Sequence, residues 1–420
     1  MPRYTAPRGT QDILPEDQPY WRFVTERARY IAQLYGFEQI TTPIIENTEV
    51  FVRGVGTGTD IVDKEMYNFE DKGGNQITMR PEFTAGIVRA YIQHGMQTRA
   101  QPVKVFAIGP IFRYERPQAG RYRQHTQFDI ESFGEMDPAV DAEVMEVARH
   151  LVTDLGFGGL SFQINSTGCP KCRPAYVESL VQYYSAHADQ VCDDCKRRLT
   201  LNPLRVLDCK SRTCQPLIEG APHFVDVLCD ECAEHFDSLQ HYLDLLGRPY
   251  TINHRLVRGL DYYTKTVFEV WSQDIGAQSA VFGGGRYDGL MELLGGPSMP
   301  GIGFGSGIER LILAMKAQGI EVPALPRPQV LIASLGGRAK SVGVSLLADL
   351  RAAQIPAVIA FGDRSLRSQM REASRQNVRF ALVLGDQEIE RGQVSVRDMV
   401  SREQTDVPAI DLVAWLRERL

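Results

Sequence analysis

The segment VFAIGPIFRYERPQAGRYRQHTQFDIE, Val105–Glu131, sets two alternating runs on either side of a loop that carries Arg113, Arg116, Arg121 and Arg123. Alternation with period two predicts a β-hairpin, because successive side chains of a strand point to opposite faces. So many permanent charges resist burial without anionic partners, and each guanidinium offers a planar fork of donors suited to phosphate oxygens. Two readings stand at this point. The loop is a polyphosphate clamp, or it is a solvated hairpin with basic edges, as surface charge runs usually are.

Outward from the hairpin, helical spacing of apolar residues predicts a helix over Tyr20–Tyr35, stopped by Gly36. Glu38–Ile45 is β-branched and alternating, so it reads as a strand, with Pro43 restricting it to an edge or an interface. Further strands are expected at Gln76–Met79, Val103–Gly109, His125–Gly134 and Ser161–Asn165, and helices at Ala85–His94 and Pro138–Leu155. Strands outnumber the crossovers that a parallel sheet requires, which predicts an α+β protein with a mainly antiparallel sheet flanked by helices. Thr167–Gly247 has helical periodicity and separates two strand-rich halves, as an inserted helical subdomain would. Leu256–Trp271 and Gln278–Gly284 then resume strand character, and the three prolines of Ile320–Gln329 form a stiff linker. Beyond it, VLIASL, AVIAF and FALVLG alternate with helical segments as a small α/β domain. The expected organisation is a core over residues 1–325, with its insertion at about 167–247, and a second domain over 326–420.

Composition narrows the class. With 420 residues, 43% hydrophobic and 23% charged, the chain is an ordinary globular protein of two or three parts. Its formal net charge of −6 argues against a non-specific nucleic-acid coat, so any nucleic-acid contact must be local. No apolar run has the length of a membrane span and the start MPRYTAPRGTQDILPED lacks a signal pattern, which predicts a cytoplasmic protein with no membrane partner.

Eight cysteines fall in close pairs, Cys169/Cys172, Cys192/Cys195, Cys209/Cys214 and Cys229/Cys232. In a reducing compartment such knuckles point to structural zinc, where one pair on a tight turn meets a second pair from elsewhere; eight ligands suit two sites. The plain alternative is buried, reduced thiols, and the pairing is open. The glycine run Gly301-Ile-Gly303-Phe-Gly305-Ser-Gly307 precedes a helix bearing Arg310. It reads as a glycine turn that lets backbone approach a planar or phosphate ligand, since GGPSMP before it cannot be the buried strand of a dinucleotide fold.

Taken together, the motifs resemble those of the class II aminoacyl-tRNA synthetases, and within them the histidyl-tRNA synthetase family. GFEQITTPIIENTEVF, FRYER with its loop and strand, and GIGFGSGIERL are similar to the three class motifs in order. LVRGLDYYTKTVFE (Leu256–Glu269) and FGGGRYDGL (Phe282–Leu290) are similar to blocks of the histidine family. The likeness extends to the C-terminal α/β domain, which resembles an anticodon-binding domain.

The resemblance implies an ATP-dependent histidine-tRNA ligase that forms histidyl-adenylate and transfers it to the 3′ end of tRNA(His), with magnesium accompanying ATP. It implies a homodimer built on the first motif. Arg113 would hold the α-phosphate and the histidine carboxylate, Glu115 the adenine side, and Arg121 and Arg310 the β- and γ-phosphates. Arg258 would be catalytic with Arg113, standing where related enzymes place a metal ion. Glu82, Thr84 and Gln127 would meet the histidine ammonium, and Glu131, Tyr263 and Tyr287 its ring. Arg116 and Gln118 would approach the tRNA acceptor end. In the C-terminal domain Arg364, Arg367, Arg371 and Arg375 recur at helical spacing, as a stripe that follows a tRNA backbone or a solvated face would. The competing reading is a regulatory paralogue of ATP phosphoribosyltransferase, a group that typically lacks the C-terminal domain and these arginines. Zinc rests on cysteine spacing and not on the resemblance.

Overall fold

Alternation along the strand Gln124–Phe133 divides the large sheet into two unlike faces. Phe128 and Ile130 enter the main apolar core with Phe106, Ile302 and Phe304, whereas Gln127, Asp129 and Glu131 take the other face. The computed structural model describes residues 4–56, 59–118, 120–272 and 280–420, and the chain divides into two compact units, Met1–Pro323 and Ala324–Leu420.

In the first unit an eight-stranded sheet runs in the order Glu38–Gln39, Val103–Phe112, Gln124–Phe133, Gly301–Gly307, Ala280–Arg286, Thr264–Ser272, Leu160–Ser166, Thr251–Ile252. Its inner pairs are all antiparallel, and only the short edge strands pair in parallel. The helices Gln18–Leu34, Pro138–Asp154 and Ile308–Ala317 cover the apolar face. Among the described residues no helix is long and apolar enough to cross a membrane.

Three local expectations change. The span Glu38–Ile45 breaks around Pro43: Glu38–Gln39 joins the edge of the large sheet, and Ile45–Asn47 joins a separate three-stranded sheet. The glycine run is not a turn but the strand Gly301–Gly307, hydrogen-bonded on both sides. Glycine carries no strand signal of its own, so the neighbours impose this conformation. Of Leu256–Trp271 only Thr264–Ser272 is a strand, the preceding residues forming a loop. Gln278, where the next strand was expected to begin, lies outside the described residues; that strand runs Ala280–Arg286.

The cysteine-bearing segment folds into the helices Arg173–Ser185, Asp193–Leu201, Gln215–Glu219 and Asp230–Leu245. It has a core of its own around Tyr176, Leu180, Tyr184 and Phe224. Its last helix also sends Phe236, Leu239 and Leu243 into the main core. A buried ion cluster seals that contact. Arg286 donates from Nε to Asp141 at 2.9 Å and from Nη1 to the Glu135 carbonyl at 2.9 Å, and His235 Nε2 lies 2.8 Å from the other Asp141 oxygen. Burial alone would raise the Asp141 pKa, but Arg286 and His235 hold it below the usual value.

The second unit has a five-stranded sheet in the order Ala357–Ile359, Val330–Ser334, Phe380–Leu384, Gln393–Asp398, Gln404–Pro408. The first three are the parallel strands expected from the βαβαβ pattern, and the last two add antiparallel strands. Arg367, Arg371 and Arg375 are exposed on the helix Leu366–Arg375, whereas Arg364 precedes that helix and pairs with Glu372.

Removing one member of a buried ion cluster strands the other charge, which typically costs about 3–5 kcal/mol. Asp141→Ala is therefore expected to lower the unfolding free energy of the first unit by about that amount, read from the urea midpoint of its transition.

Candidate active site

The polar face of the sheet is floored by small residues. Across from Gln127, Asp129 and Glu131 stand Gly307, Gly305 and Gly303 on one side, and Gly109 and Ala107 on the other. The bareness is required. A Cβ on Gly303 would lie 2.0 Å from Glu131 Oε2, and one on Gly283 would lie 2.4 Å from the Arg258 guanidinium. Above this floor opens a cleft of about 760 Å³.

Arginines from three distant segments line that cleft. Arg113 immediately follows the first hairpin strand and donates from Nε to the Pro81 carbonyl at 2.7 Å. Arg310, in the first turn of Ile308–Ala317, donates to the carbonyls of Gly120 at 3.0 Å and Ala280 at 2.9 Å, clasping the hairpin loop. Arg258 lies over Gly283, paired with Glu269, whose other oxygen accepts from Trp271 Nε1 at 2.7 Å. Arg121 lies 3.3 Å from Glu115, and Arg113 4.0 Å from the same carboxylate. Burial, then repulsion from Arg121, lowers the Arg310 pKa. Burial also opposes charge on Arg258, but Glu269 holds its pKa up. Cations crowded in this way favour an anion between them.

Buried carboxylates gather beside them, close enough for Arg113 to act on Glu82 and Asp129. Glu82 accepts the backbone N–H groups of Thr84 at 2.7 Å and Ala85 at 2.8 Å, at the start of the helix Thr84–Gln93. Thr84 Oγ1 donates to Glu131 at 2.6 Å, Tyr287 donates to the other Glu131 oxygen, and Gln127 Nε2 donates to Asp129 at 3.0 Å. Burial raises the Glu131 pKa to about 8. Asp129 is raised well above its ordinary value, by burial and then by repulsion from Glu131 and Glu82. Glu82 is raised by burial as well. A buried group of acids that resist ionising together is a site for a cation, which would restore their charge.

Of the residues expected from sequence, Glu82, Thr84, Arg113, Glu115, Arg121, Gln127, Arg258, Tyr263, Tyr287 and Arg310 all line this cleft. Glu131 does not; it is 1% exposed and sits behind the wall, tying Thr84 to Tyr287. Arg116 and Gln118 are exposed on the hairpin loop, away from the cleft lining. Arg123 stacks over Tyr114 at 3.6 Å and donates to the Glu115 carbonyl at 3.2 Å, so it shapes the loop. Sequence reasoning assigned nothing to Asp129, although its spacing from Gln127 and Glu131 was the available signal. It also missed the partner of Arg258, which is Glu269.

The eight cysteines form two quartets, Cys169, Cys172, Cys229 and Cys232, and Cys192, Cys195, Cys209 and Cys214, with the ligand atoms of each within 4.8 Å of one another. The outer two pairs meet, and the inner two pairs meet.

A glycine-floored antiparallel sheet with guanidinium groups and buried acids in one cleft is the arrangement of a class II aminoacyl-tRNA synthetase, a ligase. Comparison with known proteins narrows it. The family model described as "Histidyl-tRNA synthetase" matches residues 9–171 and 220–311, and that described as "Anticodon binding domain" matches 329–419. The histidine–tRNA ligase of Dehalococcoides mccartyi is 49% identical over 417 residues, covering 99% of this chain and all of the relative. That of Desulforamulus reducens is 49% identical over 415 residues, covering 99% of each. The apo crystal structure of S. aureus histidyl-tRNA synthetase superimposes with a TM-score of 0.83 at 39% identity, covering 98% of this chain and 99% of that one. The chain belongs to the histidyl-tRNA synthetase family.

The acid cluster has a measurable pH signature. A glutamate whose folded pKa is raised from 4.5 to about 8 favours the folded state while protonated, so its contribution is full below 4.5 and is lost as pH rises through 8. Glu131→Gln, which keeps the neutral shape, is expected to flatten the decline of the urea midpoint across that window. An unchanged slope would show that Glu131 is ionised at neutral pH.

Proposed function

We infer that this cleft activates L-histidine with ATP and that the chain then charges tRNA(His). The observation that carries the reading is the meeting of Arg113, Arg258 and Arg310 in one cleft beside the acid cluster. The histidine carboxylate attacks the α-phosphorus of ATP, the bond to the β-phosphate breaks, and pyrophosphate leaves. A ribose hydroxyl of the tRNA 3′-terminal adenosine then attacks the adenylate carbonyl and releases AMP.

Arg113 holds the α-phosphate and the attacking carboxylate, and Arg121 and Arg310 hold the departing pyrophosphate. Placement and charge compensation dominate such a displacement. Arg258 is the second catalytic arginine: pinned by Glu269, it is aimed before charge develops and needs no reorganisation in the transition state. Glu115, between Arg113 and Arg121, takes the adenine side. Magnesium enters as part of the ATP substrate.

Glu82, Thr84 and Gln127 receive the α-ammonium group, with Asp129 beneath them. Tyr263 and Tyr287 meet the imidazole, and Glu131 acts through Thr84 and Tyr287. Leaving buried polar groups unpaired penalises apolar analogues strongly, so discrimination needs no editing. Arg116 and Gln118 are free to meet the acceptor end because they lie outside the cleft, and the exposed Arg367, Arg371 and Arg375 follow the tRNA backbone with Arg364 beside them. Exposed Ile45 and Phe69 on the small sheet, with exposed Ile44 just before it, support a homodimer interface there. The two cysteine quartets take structural zinc, and the chain works in the cytoplasm, where such thiols stay reduced.

Amino-acid-dependent ATP–pyrophosphate exchange across all twenty amino acids is expected to respond to histidine alone. Exchange with none would favour the regulatory paralogue instead. Arg258→Ala is expected to cut exchange by about 100-fold or more, with histidine affinity changed far less; an undiminished rate would remove Arg258 from the chemistry.

A further inference from the structure

The first cysteine quartet sits where the inserted segment leaves the catalytic unit and returns to it. Cys169 and Cys172 follow the strand Leu160–Ser166, and Cys229 and Cys232 flank the start of the helix Asp230–Leu245. Cys169 Sγ lies 3.9 Å from Cys172 Sγ and 3.8 Å from Cys229 Sγ. Four thiolates around zinc at about 2.3 Å form a tetrahedron with edges of about 3.8 Å, whereas a disulfide would need about 2.05 Å. The N–H of Cys169 donates to Cys172 Sγ at 3.3 Å and that of Lys171 to Cys169 Sγ at 3.4 Å. Such donors stabilise thiolate charge around a metal.

Both halves of the quartet grip residues 263–265. The Thr167 N–H donates to the Lys265 carbonyl at 2.8 Å, and the Lys265 N–H donates to the Gly168 carbonyl at 2.8 Å. Arg173, next to Cys172, donates to the carbonyls of Thr167, at 3.3 Å, and Tyr263. From the other half, Glu231 accepts from Lys265 Nζ at 2.7 Å and from Lys171 Nζ at 3.1 Å. Lys265 is 5% exposed with φ of 49°, a conformation lysine rarely takes unless its surroundings impose it. Gly168, at φ of 59°, has no room for a Cβ, which would lie 2.7 Å from Cys172 Sγ. Knuckle and loop are built as one piece.

We propose that a zinc ion held by Cys169, Cys172, Cys229 and Cys232 is a positioning centre for histidine: it anchors residues 263–265 and so sets Tyr263 against the cleft. The four thiols bind as thiolates and give their protons to solvent. Without the ion, four apposed thiols supply no comparable tie between the two halves, and the grip on Lys265 loosens. The second quartet has similar spacing, 3.7 Å for Cys192 to Cys209 and 3.9 Å for Cys195 to Cys214. It reaches the loop further upstream, where Asn202 donates to Asp261 at 2.5 Å.

The proposal rests on the reading of the cleft for its kinetic readout and not for its metal count. Full-length protein purified under reducing conditions is expected to carry two zinc ions per chain by elemental analysis, one for each quartet. Cys232→Ser should lose one and raise the histidine KM in pyrophosphate exchange by about 10-fold or more, the range seen when support around a metal is removed, with the ATP KM moving less than about threefold. Because that variant could misfold, Arg173→Met and Lys265→Met provide a second arm: both should keep their zinc and still raise the histidine KM. Fewer than about 0.3 zinc ions per wild-type chain would overturn the metal site, since a structural site should be filled. Retained zinc with an unchanged histidine KM in both Met variants would overturn the coupling. Wild-type protein that exchanges with no amino acid would fail the reading of the cleft instead, and the zinc counts on Cys232→Ser would still decide the metal site.

Discussion

Everything in the cleft depends on a sheet face from which side chains have been removed. Gly303 and Gly305 pair with Glu131 and Asp129 of the neighbouring strand, and Gly283 pairs with Gly305 from the strand beyond. Their missing Cβ atoms leave space for a guanidinium and a carboxylate to lie flat on the backbone. The reverse face of the same strands carries Phe282, Phe304, Phe128 and Phe106, whose rings pack edge to face. One face therefore supplies stability, and the other supplies room.

That room brings arginines and buried carboxylates into one cleft. Burial and its arginine neighbours disfavour charge on Arg310, and burial with repulsion from Glu131 and Glu82 disfavours charge on Asp129. An amino acid and a nucleotide present the complementary pattern, an ammonium group at one end and phosphates at the other. On the function proposed above, substrates would relieve this unfavourable charge, and part of their binding energy would go into alignment. Glu269 and Glu115 are the counter-ions of Arg258 and Arg121 in this cleft.

The inserted segment is tied to this site more tightly than a loosely tethered appendage would be. Its last helix enters the main core, the Asp141, Arg286 and His235 cluster joins it to the sheet, and Arg173, beside the first cysteine quartet, donates to the Tyr263 carbonyl. Arg286 immediately precedes Tyr287, so the same cluster that docks the insertion also orients a cleft residue. Support for the insertion and lining of the cleft thus fall to adjacent residues.

Much of the fold was legible because it is written in short-range patterns. Period-two alternation marked the hairpin, helical spacing marked Pro138–Asp154, and the three prolines marked the break near residue 323. The hairpin arginines offered either an anion clamp or a solvated face, and Arg258 and Arg310 took their roles from the family resemblance. What the chain by itself determined is thus the kind of element at each position and the chemistry its side chains can offer. Only the tertiary structure decided that the glycine run is a strand, that Glu131 stands behind the wall, that Arg258 answers to Glu269, and that the outer cysteine pairs meet each other. Each of these is a pairing between segments far apart in the chain, and such contacts form only once the sheet register and the core have set the distances between them.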